Sequence, residues 1–131
     1  MTEKNRQVIR FIGVYHADGS LLGEVRYLFT KLVGSGSCSL CDITHRGLFK
    51  NKTWRNCEKE LPVPIDFLHL DELTPELEAL TRNQTPCVVA EDNTQLKIAL
   101  SAEQLNHLTG QPEALFQELM ELIRESRETS E

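Results

Sequence analysis

The sequence predicts an α/β domain built on a central four-stranded mixed sheet. Four short runs rich in branched and aromatic residues alternate with stretches of helical periodicity. The last two of these runs are separated only by the polar residues Glu91-Asp92-Asn93-Thr94 and a glutamine, the spacing of an antiparallel hairpin. The chain has 131 residues, 40% of them apolar, which is enough for one real core and too little for two.

Val8 to Tyr15 reads as a buried strand, stopped by Asp18-Gly19. Ser20 to Val33 carries Leu21, Leu22, Val25, Leu28, Phe29, Leu32 and Val33 on one helical stripe, with Ser20 as N-cap and Gly34 as the residue past its end. Gly34-Ser35-Gly36-Ser37 breaks the pattern, and residues 38–64 are the least regular part of the chain. Within them Thr53 to Glu60 predicts a short helix, anchored by Trp54 and ended by Leu61-Pro62-Val63-Pro64. Ile65 to Leu70 is a second strand, with His69 near its end. Thr74-Pro75-Glu76 opens a helix that runs to about Arg82, with a capping hydroxyl and proline in the first turn. Pro86 to Ala90 and Leu96 to Leu100 form the hairpin. Ser101 and Gln104 have the spacing of a capping box, and the helix that they start is closed by Gly110. A last helix begins at Gln111-Pro112, with Leu115, Phe116, Leu119, Met120 and Ile123 on one face. Residues 8–127 are expected to form one domain, with 1–7 and 128–131 as tails.

The order strand–helix–strand–helix–strand–strand–helix resembles the thioredoxin/glutaredoxin fold. In that fold a Thr-Pro or similar pair precedes the third core strand and the proline is cis. Thr85-Pro86, followed by Cys87-Val88-Val89, matches that feature. The resemblance covers about residues 8–127 and implies a three-layer sandwich of element order βαβαββα with a cis Thr85–Pro86 bond. The chain also resembles an uncharacterised bacterial family that has a Tyr-x-Ala-Asp segment and a Cys-x-Leu-Cys-Asp-Ile-Thr-His segment. Here these are Tyr15-His16-Ala17-Asp18 and Cys38-Ser39-Leu40-Cys41-Asp42-Ile43-Thr44-His45. Thioredoxins carry their cysteine pair directly after the first strand. This chain has His16-Ala17-Asp18-Gly19-Ser20 there, and its Cys38/Cys41 pair follows the first helix. A helix of about 13 residues rises roughly 20 Å, so the pair is expected at the opposite end of the sheet from Pro86.

The cysteine segment admits three readings. Cys38, Cys41, His45 and Cys57 supply thiolates and an imidazole suited to tetrahedral zinc, and zinc would organise a loop that has little apolar content of its own. Alternatively, Cys38 and Cys41 cycle between dithiol and disulfide, with His45 or Arg46 lowering a thiol pKa. In the third reading the cysteines fill space as small apolar groups, the role also expected of Cys87. A second candidate site is the carboxyl end of the sheet. There His16, Asp18 and Ser20 follow the first strand, and Thr85 and Pro86 precede the third. Strand ends and helix starts are where open α/β folds bind ligands, and a histidine oriented by an aspartate can exchange protons. The plainer reading is an Asp-Gly turn with a capping serine.

Charge and composition exclude several classes. The net charge is −6, divided unevenly. Residues 1–60 hold ten Lys/Arg against six Asp/Glu, while residues 61–131 hold four against fourteen. Arg46, Lys50, Lys52, Arg55 and Lys59 form a basic cluster that reads as solvated surface, and the acidic half argues against a nucleic-acid partner. No apolar run approaches the roughly 18 residues of a membrane span. The amino-terminal residues lack a signal-peptide pattern, and four cysteines are too few for a disulfide framework. A reducing, cytoplasmic setting is therefore expected. Dinucleotide, phosphate-loop, nucleophile-elbow and His-Glu-x-x-His motifs are all absent. The functional expectation is a thiol-redox or zinc-linked accessory protein using Cys38 and Cys41. The alternative is a non-catalytic binding domain, for a protein partner or a small molecule, that keeps only the fold.

Overall fold

The computed structural model describes residues 7–16, 45–46, 49–50 and 52–129; for 45–46, 49–50 and 129 the description is of the backbone. In chain order the elements are β1 (Arg10–Val14), β2 (His45–Arg46), β3 (Phe49–Lys50), α1 (Lys52–Glu60), β4 (Ile65–Leu68), a 3-10 turn (Leu70–Glu72), α2 (Pro75–Thr81), β5 (Cys87–Glu91), β6 (Leu96–Leu100), α3 (Ala102–Asn106) and α4 (Pro112–Thr129). The helix expected over Ser20 to Val33 lies outside the described residues.

The four longer strands form one mixed sheet in the order β4-β1-β5-β6. β1 runs parallel to β4, with Phe11 opposite Ile65 and Val14 opposite Leu68. It runs antiparallel to β5, with Phe11 opposite Ala90 and Val14 opposite Cys87. β5 and β6 pair antiparallel, with a bulge beside Val88 and Val89. Arg10 ties three strands together, standing 3.3 Å from the Asp66 carboxylate on β4 and 2.9 Å from that of Glu91 on β5.

Alternation along β1 sends side chains to both faces of the sheet, and both are covered. On one face Phe11, Tyr15, Ile65, Val88 and Ala90 pack with Trp54 of α1 and with Leu115, Leu119 and Ile123 of α4. On the other, Ile12, Val14, Cys87 and Val89 pack with Leu77 of α2. The result is a layered α/β sandwich, with α1 and α4 side by side on one face and α2 on the other.

Local chemistry explains the helix ends. Thr74 caps α2 by accepting from the Leu77 amide at 3.2 Å, with Pro75 at the first helical position. α2 ends at Thr81, one residue short of the expected Arg82, because Asn83 takes the left-handed conformation (φ 62°). The capping box of α3 is formed: the Gln104 amide donates to Ser101 Oγ at 3.2 Å, and the Ser101 amide donates to Gln104 Oε1 at 2.8 Å. Gly110, at φ 73°, turns the chain between α3 and α4, a conformation that a side chain would resist.

The helix read over Thr53 to Glu60 begins one residue earlier, the strand read over Pro86 to Ala90 lies one residue later, and larger differences from the sequence reading lie elsewhere. The irregular segment contains a hairpin, β2 paired antiparallel with β3. Two-residue strands are too short to display alternation. β4 stops at Leu68, so His69 lies past the strand and leads into the 3-10 turn. Its amide donates to Glu72 Oε1 at 2.7 Å, which takes it out of the ladder. β1 spans Arg10–Val14 rather than Val8 to Tyr15. Among the described residues, no helix is long and apolar enough to cross a membrane.

Candidate functional site

The carboxyl ends of β1 and β4 meet the amino end of β5, and polar side chains gather there. Continuing the β1–β5 register past Val14 and Cys87 sets His16 opposite Thr85. Their side chains join: His16 Nδ1 and Thr85 Oγ1 share a hydrogen bond of 2.7 Å. His16 is exposed, Thr85 half-buried and Pro86 buried. The Thr85–Pro86 peptide bond is cis, as the sequence led us to expect. A hydroxyl can donate to a neutral imidazole nitrogen or accept from a protonated one, so the pair can persist in either protonation state.

A second histidine occupies the other side of the same sheet end. His69 Nδ1 lies 2.8 Å from Glu72 Oε1. An ionised carboxylate only accepts, so Nδ1–H is the donor. The His69 backbone amide and ring together hold the Glu72 carboxyl below its usual range. The ring lies 5.2 Å from that of Tyr15, which stacks on Phe67 at 5.4 Å; Phe67 in turn makes a T-shaped contact with Trp54 at 6.0 Å. Trp54 is fully buried, the anchoring role that the sequence assigned to it.

The cysteines divide. Cys87 is fully buried in the strand beside Pro86, and burial pushes its thiol up to about 11. A thiol that far above neutral pH is a poor source of thiolate, so Cys87 belongs to the core. Cys57 is half-buried on α1 and free. Burial, then the nearby carboxylates of Glu113 and Glu60, push its thiol upward as well. His45 has its backbone in β2, opposite Lys50, and its side chain is not among those described. Cys38 and Cys41 lie outside the described residues, as do Asp18 and Ser20. Among the described residues, no three His, Cys, Asp or Glu side chains cluster closely enough to hold a metal ion.

Of the residues singled out from sequence, His16, Thr85 and Pro86 are therefore brought to one place. Glu72 was missed, although His69 and Glu72 stand three apart, a spacing that one turn brings together. Tyr15 and Phe67 were legible only as strand residues. His107 is exposed at the end of α3.

No protein-family model, curated protein or solved structure matches the chain.

Proposed function

We propose that the chain is a thioredoxin-like binding domain whose ligand edge is the sheet end bearing His16 and Thr85. The observation that carries this reading is the 2.7 Å hydrogen bond between those two side chains. The β4-β1-β5-β6 strand order, with helices on both faces, supports the thioredoxin-like part of the reading. The His16 imidazole follows β1, where the resemblance would put a cysteine pair, the Thr85 hydroxyl belongs to the residue before the cis proline, and the thiol beside Pro86 is buried and held protonated. The edge thus has donors rather than a nucleophile. A hydroxyl and a protonatable imidazole, side by side and open to solvent, recognise a small anionic group such as a carboxylate or phosphate.

Chemical-shift titration with acetate and with inorganic phosphate tests this. The expected result is a saturable shift confined to residues near 14–16 and 85–87. It is lost in Thr85→Val, which keeps the side-chain shape and removes the hydroxyl. Absence of any shift there, or an equal shift in Thr85→Val, overturns the reading.

Cys57 favours a second reading, in which zinc joins Cys57 to Cys38, Cys41 and His45. Glu60 and Glu113 set up a negative potential around a free, half-buried thiol. That potential disfavours a bare thiolate and favours a bound cation that would replace its proton. Metal content and thiol titration of reduced protein decide it. About one zinc per chain, lost together with thiol protection in Cys57→Ser, supports the site. Metal-free protein in which Cys38 and Cys41 join reversibly under mild oxidation supports the thiol-redox alternative for that pair.

A further inference from the structure

We infer that the α1–α4 face of the sandwich is a self-association surface, on which the basic stripe of α1 meets the acidic stripe of α4 of a second copy. Lys52, Arg55 and Lys59 are exposed at spacings i, i+3 and i+7, so they share the side of α1 opposite the buried Trp54. None of the three pairs with a carboxylate of the described residues, a state they share with Lys97 and Arg127, whereas Arg10, Arg82 and Arg124 are paired. Their placement does not serve α1 itself. Lys52 stands at the amino end, where the helix dipole disfavours a cation, and the first turn has no acid to offset it. Arg55 and Lys59 are like charges four residues apart, which disfavours an isolated helix.

The complementary pattern stands on the neighbouring helix. Glu118, Glu121, Glu125 and Glu128 are exposed at i, i+3, i+7 and i+10 on α4, away from the buried Leu115, Leu119 and Ile123. Arg124 bonds Glu121 and Glu128, which neutralises part of the stripe and leaves it net negative. Both stripes open with the same two intervals, three and then four residues, about 10.5 Å from first to third charge. Because α1 and α4 lie side by side on one face of the sheet, a two-fold axis between the copies sets α1 on α4 twice. The contact closes on itself and makes a dimer rather than a filament. A groove of about 520 Å³ beside the stripes, with Pro62, Met120 and Ile123 in its wall, offers apolar surface to the same partner. The occupant is a second copy and not a nucleic acid, because a chain of net charge −6 repels a polyanion along its length while this spacing recurs within the chain itself.

The interface is small. Helices about 10 Å across and up to about 27 Å long cover roughly 500 Å² per copy, below the standard size, so association is weak. Net charge opposes it at long range, so it is strongest near 0.1 M salt and disappears near 1 M, where the Debye length falls to about 3 Å.

Sedimentation velocity of the full chain between about 10 µM and about 1 mM brackets such an affinity. Wild type should dimerise over that range at about 0.1 M salt. Lys52→Glu/Arg55→Glu/Lys59→Glu should be monomeric, as should Glu118→Lys/Glu125→Lys, which leaves both ion pairs of Arg124 in place. An equimolar mixture of the two variants should recover the dimer, because both halves of the contact are then complementary again. Circular dichroism confirms that each variant is folded, and recovery in the mixture itself requires folded chains. Monomeric wild type across the range overturns the inference. So does a dimer that the charge reversals leave intact, or a pair of folded variants that fails to recover association. Binding of short duplex DNA by a monomeric wild type would assign the basic stripe to nucleic acid instead.

Discussion

Trp54→Ala is the most direct test of how the segment that precedes β4 is held. Trp54 has no exposed surface, and its ring stands T-shaped to that of Phe67 at a centroid distance of 6.0 Å and an interplanar angle of 76°. A buried tryptophan removes about 150–250 Å² from water. At about 25 cal/mol per Å² that is about 4–6 kcal/mol, an upper bound because the unfolded chain already hides part of it. Truncations of this kind lose about 3–5 kcal/mol, against a total stability of about 5–15 kcal/mol for a domain. Trp54→Phe keeps most of the apolar area and should lose about 1–2 kcal/mol, including an edge-to-face term of about 0.5–1.5 kcal/mol. Urea unfolding followed by far-ultraviolet circular dichroism is the assay, since Trp54 is the only tryptophan and its removal erases the fluorescence signal. A loss below about 1 kcal/mol in Trp54→Ala would refute the docking of α1 through this side chain.

Thr74→Ala removes the cap of α2 and should lower stability by about 1 kcal/mol, with Thr74→Ser close to wild type, measured by the same unfolding curves. Asp92 is nearly buried at the β5–β6 turn; burial raises its pKa, but the Thr94 hydroxyl and amide, the Gln95 amide and Lys97 outweigh that and bring it below the usual value. Its contribution is therefore fully present above about pH 4 and is lost as pH falls through the lower, folded-state pKa, so Asp92→Asn should flatten the stability–pH curve in that acid window and not above it. Under native conditions a maleimide should modify Cys57 and leave Cys87 untouched until urea unfolds the chain, as mass spectrometry of peptides will show; early labelling of Cys87 would contradict its burial.

The fold was legible where side-chain period and caps agree. Leu96 to Leu100 appears with the expected bounds, and Thr74, Ser101 and Gly110 sit at the helix ends for the chemistry that singled them out. The hairpin of β2 and β3 was illegible, because His45-Arg46 and Phe49-Lys50 present two residues each and no period fits two residues. The end of β4 was misplaced because Leu70 continues the apolar run, whereas a backbone bond to Glu72 decides the turn. At the candidate site, His16 and Thr85 were found separately from their places around two strands. That they meet depends on the β1–β5 register, a long-range pairing that no local pattern reports.

The same register explains why the two histidines at this sheet end make two environments rather than one site. Tyr15 and His69 follow β1 and β4 with matching alternation, and their rings meet on the face that carries Phe67, Trp54 and α4. His16 is one residue further on. It lies past the end of β1 and bonds Thr85, which the continued β1–β5 register sets opposite it. His69 is fastened at Nδ1 to Glu72, and its ring packs against an aromatic column that reaches Trp54. That environment serves packing at the joint between β4 and the 3-10 turn. His16 is exposed and bonded to a residue outside any helix or strand. A single residue step thus separates the histidine packed against Tyr15 from the histidine bonded to Thr85.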